Sequence, residues 1–160
     1  GLAGSFDQDQ WIVTSVESLF LRAEAVARGW LPGNAKDAYE EAVLESFEWL
    51  GVADADVEAQ NYLTNPTADW ANAGASADSK AKFIVAQKYI ALTGINPLEA
   101  WSDWRRLGVP SSIPLSVNPA RGSRTVPVRL IYPAAEYAVN AANVQAQGNV
   151  DAYAKIFWDK

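Results

Sequence analysis

Residues 19–52 read LFLRAEAVARGWLPGNAKDAYEEAVLESFEWLGV, and the architecture turns on whether this run is one helix or two. Apolar side chains at Leu19, Phe20, Ala23, Val26, Ala27 and Trp30 recur at helical spacing, and Ile12 and Val16 extend the series backwards. The spacing predicts a helix over about 8–29, stopped by Gly29 and the Pro32-Gly33 pair. Asn34 then caps a second helix whose inner face carries Ala38, Tyr39, Ala42, Val43, Phe47 and Leu50, and Gly51 ends it. Two helices joined by so few residues must lie antiparallel.

This pair resembles a tetratricopeptide-type hairpin, with small Ala and Gly where helices cross and Tyr and Phe where they interlock. The full repeat does not recur. A lone hairpin of that kind cannot bury its own apolar face, so it must pack on other helices or on residues outside this chain. The opening GLAGSFDQDQ reads as a cut inside a longer protein, which favours a fragment.

Further along, a short helix is expected over about 55–64, ended by Asn65-Pro66, and another from Ser76 or Asp78 to Gly94. Asn96-Pro97-Leu98-Glu99 is a strong start signal, with a capping Asn, Pro at the first helical position and Glu three residues after the cap. Between 110 and about 127, four prolines, Gly122 and several serines exclude regular structure, and so long an irregular stretch is usually functional or wrapped over a surface. TVPVRLIYP reads as a short extended segment, 133–147 as a helix ended by Gly148, and Asp151 as the start of a final short helix into Ile156, Phe157 and Trp158. The class is mainly α: a helical hairpin, further packed helices and a long irregular loop, in a single domain over 1–160.

Composition excludes whole classes of chemistry. The 160 residues suffice for a core, and no apolar run approaches the length of a bilayer. There is no Cys and no His. Disulfides, Cys/His zinc sites, thiol nucleophiles and Ser-His-Asp triads are therefore excluded, leaving a carboxylate-only metal site or a paired-carboxylate enzyme. The net charge of −6 is uneven, with 12 acids against 3 bases in residues 1–60 and 7 against 10 in residues 61–160. The bases are scattered rather than gathered in a stripe, so no nucleic-acid partner is expected. Seven tryptophans suit either a thick helical core or a stacking surface. With neither a signal peptide nor a lipid-attachment cysteine present, the sequence is silent about export.

Three stretches carry a family likeness. QKYIALTGINPLEAWSDWRRLGVP, VPVRLIYPAAEYAVNAANV and the ending KIFWDK resemble the C-terminal part of SusD/RagB-family proteins, closest to the SusD-like subgroup, and residues 19–52 resemble the hairpin those proteins carry. The likeness covers nearly the whole chain in the family's order. It implies a helical, non-catalytic module from a surface-exposed outer-membrane lipoprotein of Bacteroidetes. Such a protein binds a glycan or other nutrient and passes it to a SusC-type TonB-dependent transporter, without cofactor or metal. It also implies a missing N-terminal portion bearing the lipidated cysteine, the only tie to the membrane.

Candidate residues divide between ligand and scaffold. Trp101 and Trp104 could stack on a sugar, but large aromatics on a capped helix ordinarily pack, here against the preceding helix around Ile90. Asp103, Arg105 and Arg106 could meet an anion; more often, last-turn arginines pair with carboxylates. Arg129, Tyr132, Glu136 and Asn140 are positions of the family pattern, and Arg129 with Glu136 is a natural internal ion pair. The better ligand candidates sit on irregular backbone: Trp70, flanked by Asp69 and Asn72, with Tyr62 nearby. Trp30, at a helix end, is expected to staple the hairpin. Glu40, Glu41, Glu45 and Glu48 invite a paired-carboxylate reading, yet a charge run on an outer helix face is usually wet surface. A helical protein-interaction scaffold that binds no sugar is the alternative reading.

Overall fold

A computed structural model describes residues 4–118, 125–148 and 150–156. Seven α-helices and one 3-10 turn make up the regular structure of the described residues, which contain no strand. The chain divides into two compact units, one ending at Pro110 and the other beginning at Ser111.

In the first unit, α1 (Ser15–Ala27) and α2 (Ala35–Trp49) form the hairpin. Ala23 and Ala42 are fully buried, and Val16, Phe20, Tyr39 and Val43 interlock around them. The core continues into Ala59 of α3 (Ala55–Leu63) and Ile84 of α4 (Ala77–Ala91), so the hairpin buries its apolar face against helices of its own chain. α5 (Pro97–Leu107) follows, with Asn96 accepting from the Glu99 N–H at 3.3 Å and Pro97 at the first position. Asn34 and Ser76 cap α2 and α4 through their side chains. Gly29 ends α1 at φ +75°, a conformation that a Cβ disfavours.

The start of α1 departs from the expected position near residue 8. Thr14 caps the helix, its hydroxyl accepting from the Glu17 N–H at 3.1 Å, so residues 8–13 lie outside it. Ile12 and Val13 are exposed, and Trp11 instead meets Trp49 edge-on at 4.8 Å.

The second unit carries α6 (Ala134–Val139) and α7 (Ala141–Ala146) where one helix was expected. Asn140 divides them, at φ −130° and ψ 30°. Its side chain donates to Glu136 Oε2 at 3.0 Å and accepts from Asn143 Nδ2 at 2.6 Å, offering local bonds that compete with a continuous helix. Residues 125–133 form no strand; the Val128 and Arg129 N–H groups both donate to the Ala152 carbonyl. Among the described residues after Asp151, up to Ile156, the chain turns without forming a helix; Phe157 and Trp158 lie outside the described residues, as do residues 119–124 of the proline-rich stretch.

Candidate functional site

Trp70 sits in a short, heavily bonded connection between α3 and α4. Asn65 begins it, its side-chain oxygen accepting from the N–H and hydroxyl of Thr67, while its carbonyl accepts from the N–H groups of Ala68 and Asp69. Asp69 then caps a one-turn 3-10 helix, Trp70–Asn72, by accepting from the Ala71 N–H at 2.9 Å. Asn72 Nδ2 donates back to the Pro66 carbonyl at 3.0 Å. Two bonds fasten the connection to the core: the Tyr39 hydroxyl donates to the Ala68 carbonyl at 2.8 Å, and Gln87 Nε2 to the Thr67 carbonyl at 2.7 Å. Tyr62 donates to Gln87 Oε1 at 2.6 Å and completes the lattice.

The four proposed ligand residues therefore lie near one another, and each is employed in the fold. The Trp70 ring is half-buried rather than open, packed 5.5 Å from Tyr39 and 6.1 Å from Phe83, centroid to centroid. Local sequence hid this placement because one partner ring arrives from α2 and the other from further along, in α4. Trp70→Ala is expected to destabilise the protein by about 2–3 kcal/mol, below the range for a fully buried Trp, in urea unfolding followed by circular dichroism. A loss under about 0.5 kcal/mol, the usual effect of a surface substitution, would place the ring outside the core.

A second cluster joins α1, α4 and α5 through charge. Lys88, with a side chain only 1% exposed, lies 3.0 Å from Asp103 and 3.9 Å from Glu99. Asp103 also accepts from Arg106 at 2.7 Å, and Arg106 forks onto both oxygens of buried Glu24. Arg28 Nε donates to the same carboxylate at 2.7 Å. Burial works to raise the Glu24 carboxyl, but the bonds and charges of Arg106 and Arg28 outweigh it and hold it below the usual carboxylate range. The Arg106 guanidinium is pushed up, chiefly by its bonds to Glu24. On the same α1–α5 side, Asn96 donates to buried Glu17 at 3.1 Å.

α5 is thus fastened to α1 and α4 by ions. Trp101 and Trp104 are half-buried, and Arg105 lies over the Trp101 ring at 4.7 Å. Ile90, expected to anchor these indoles, is 55% exposed on the rim of a cavity of about 320 Å³. That cavity, lined by Phe20, Phe47, Leu50, Tyr62 and Ile95 among others, suits an apolar group better than a sugar. Trp30 does not staple the hairpin either. It stands 72% exposed at the tip, with Arg28 over its ring at 5.3 Å.

In the second unit, Arg129 and Glu136 are not ion-paired. Arg129 lies over the Tyr132 ring at 5.4 Å and donates to the Leu130 carbonyl, whereas Glu136 accepts from Asn140. Their places in the family pattern suggested the pair, but each side chain finds a nearer partner. Among the described residues no three acidic side chains gather as a metal site. Glu40 of α2 pairs with Lys36 along the helix surface, and Glu41 reaches across the hairpin to Arg22 of α1.

Residues 3–133 match the family model described as starch-binding, associating with the outer membrane, SusD-like. The chain belongs to the SusD-like family. Solved structures agree. The Bacteroidetes AC2a SusD-like protein is 32% identical, with a TM-score of 0.71 over 92% of this chain and 30% of that one. A candidate nutrient-binding outer-membrane protein of Bacteroides vulgatus is 30% identical, with a TM-score of 0.72 over 94% and 35%. A SusD homologue from Bacteroides fragilis is 25% identical, with a TM-score of 0.74 over 94% and 35%. This SusD-like chain therefore spans about a third of the length of these relatives. Comparison with curated proteins returns no match.

Proposed function

We propose that this chain is the C-terminal, helical part of a lipid-anchored protein on the cell-surface side of the outer membrane, which binds a glycan or other nutrient without transforming it and hands it to a SusC-type TonB-dependent transporter. The family match over residues 3–133, with its starch-binding description, carries the reading. The site geometry is compatible with it: Glu24, Asp103 and Glu41 are each engaged in joining helices, and Glu40 pairs with Lys36 along α2. The ligand residues retained from the sequence are Trp70, Asp69, Asn72 and Tyr62, gathered at the connection between α3 and α4.

Calorimetric titration of the intact protein with plant, host and algal oligosaccharides tests the reading, together with an assay for new reducing ends. Saturable binding to at least one sugar with no reducing ends released is the expected result; turnover would overturn it. The second reading, a helical protein-interaction scaffold, draws on exposed Leu130, Ile131, Tyr137 and Val139 of the second unit. Silence across all glycans would favour it.

A further inference from the structure

Trp30 is a large ring of the first unit that packing does not account for. Trp30 is 72% exposed, yet it is held from two sides. Its backbone N–H donates to the Ala25 carbonyl at 2.9 Å, part of the bonding that closes α1 around Gly29. The Arg28 guanidinium lies over its ring at 5.3 Å. Arg28 is itself fixed by Glu24, which is 4% exposed and forked by Arg106. A buried carboxylate thus orients a guanidinium, and the guanidinium orients an exposed indole.

With one face against Arg28, a ring this exposed offers its other face to solvent. We propose that Trp30, backed by Arg28, is a stacking platform for a neutral pyranose ring of an oligosaccharide. The proposal rests on the glycan-binding reading above and gives it a specific contact. A flat π-face attracts the polarised C–H bonds on one side of a pyranose, whereas an aliphatic side chain presents no such face. The backing is electrically balanced: Arg28, Arg106 and Lys88 sit among Glu24, Asp103 and Glu99, three cations with three carboxylates, so no net charge selects an acidic sugar. In the loop Trp30 is followed by exposed Leu31, Pro32, Gly33 and Asn34, a stretch in which Trp30 alone presents an aromatic face.

The test is a titration of the intact protein with maltoheptaose, cellohexaose, xylohexaose and mannohexaose, watched through the indole N–H signals in ¹H–¹⁵N spectra. The Trp30 signal is the one absent from Trp30→Ala. It is expected to move progressively with whichever sugar the wild type binds. Trp30→Ala is expected to weaken that binding about fivefold or more with an unchanged melting temperature, and Trp30→Phe to recover part of the loss. A stationary Trp30 signal, with Trp30→Ala binding as tightly as the wild type, overturns the platform while glycan binding stands elsewhere on the surface. A wild type that binds no sugar overturns both. An indole shielded from a soluble paramagnetic probe before any sugar is added shows the ring covered by protein, and also overturns the platform.

Discussion

Replacing Asp103 with Ala is expected to destabilise the first unit by about 3–5 kcal/mol, the cost of leaving a buried charge without its partner. Lys88 would keep only Glu99, at 3.9 Å and with a side chain 42% exposed, while its own side chain is 1% exposed. Arg106 would also lose one of its two carboxylates, though it keeps its fork on Glu24. The decisive comparison is Lys88→Met combined with Asp103→Leu. Apolar residues of similar volume remove both charges together, and such exchanges are often neutral or stabilising. The double variant is therefore expected to be more stable than Asp103→Ala alone, with urea unfolding monitored by circular dichroism. If the double variant is the less stable, Lys88 is not an uncompensated buried charge once Asp103 is gone, and the electrostatic account of the joint fails.

Tyr39→Ala is expected to cost about 3–5 kcal/mol, as for other buried aromatics. The side chain is fully buried, its ring meets Phe83 at 5.4 Å and Trp70 at 5.5 Å, and its hydroxyl donates to the Ala68 carbonyl. Tyr39→Phe keeps the ring but leaves that carbonyl unpaired, a loss of about 1–3 kcal/mol. The two variants separate what the ring contributes from what the hydroxyl contributes in attaching the 65–73 connection to α2. Alkaline titration gives an independent check. Burial pushes the Tyr39 phenol well above its ordinary value, so above about pH 10 the unfolded chain gives up a proton that the folded protein keeps. Stability contributed by the neutral phenol is complete below that pH and declines as pH rises further. Tyr39→Phe is expected to flatten the decline, and an identical alkaline slope in the variant would show that another group causes it.

Where a helix begins through its own side chains, the sequence disclosed it. Asn34, Ser76 and the Asn96-Pro97-Glu99 signal act within three residues of the backbone groups they satisfy, and each caps where expected. The true start of α1 was written as well, because Thr14 precedes Glu17 by three, the spacing of a capping box. The apolar series through Ile12 masked it. The break at Asn140 was hidden because an asparagine between good helix formers is a weak signal on its own. Contacts whose partners come from other helices were not legible. Trp70 depends on Tyr39 and Phe83, and Lys88 on Asp103, pairings that exist only once the helices have met. Trp30 erred the other way, since an apolar residue at a helix end gives no sign that its neighbours will leave it uncovered.

The Lys88–Asp103 pair also sets how the protein behaves in brine. Dissolved ions crowd around exposed charges and screen their attraction over a distance that shrinks from about 8 Å at physiological ionic strength to about 3 Å at 1 M. They cannot enter the packed interior where this pair lies. Surface pairs such as Arg22–Glu41 and Lys82–Asp78 should fade as the medium grows saltier, while the joint between α4 and α5 should not. That joint should therefore outlast the surface pairs at ionic strengths that erase them.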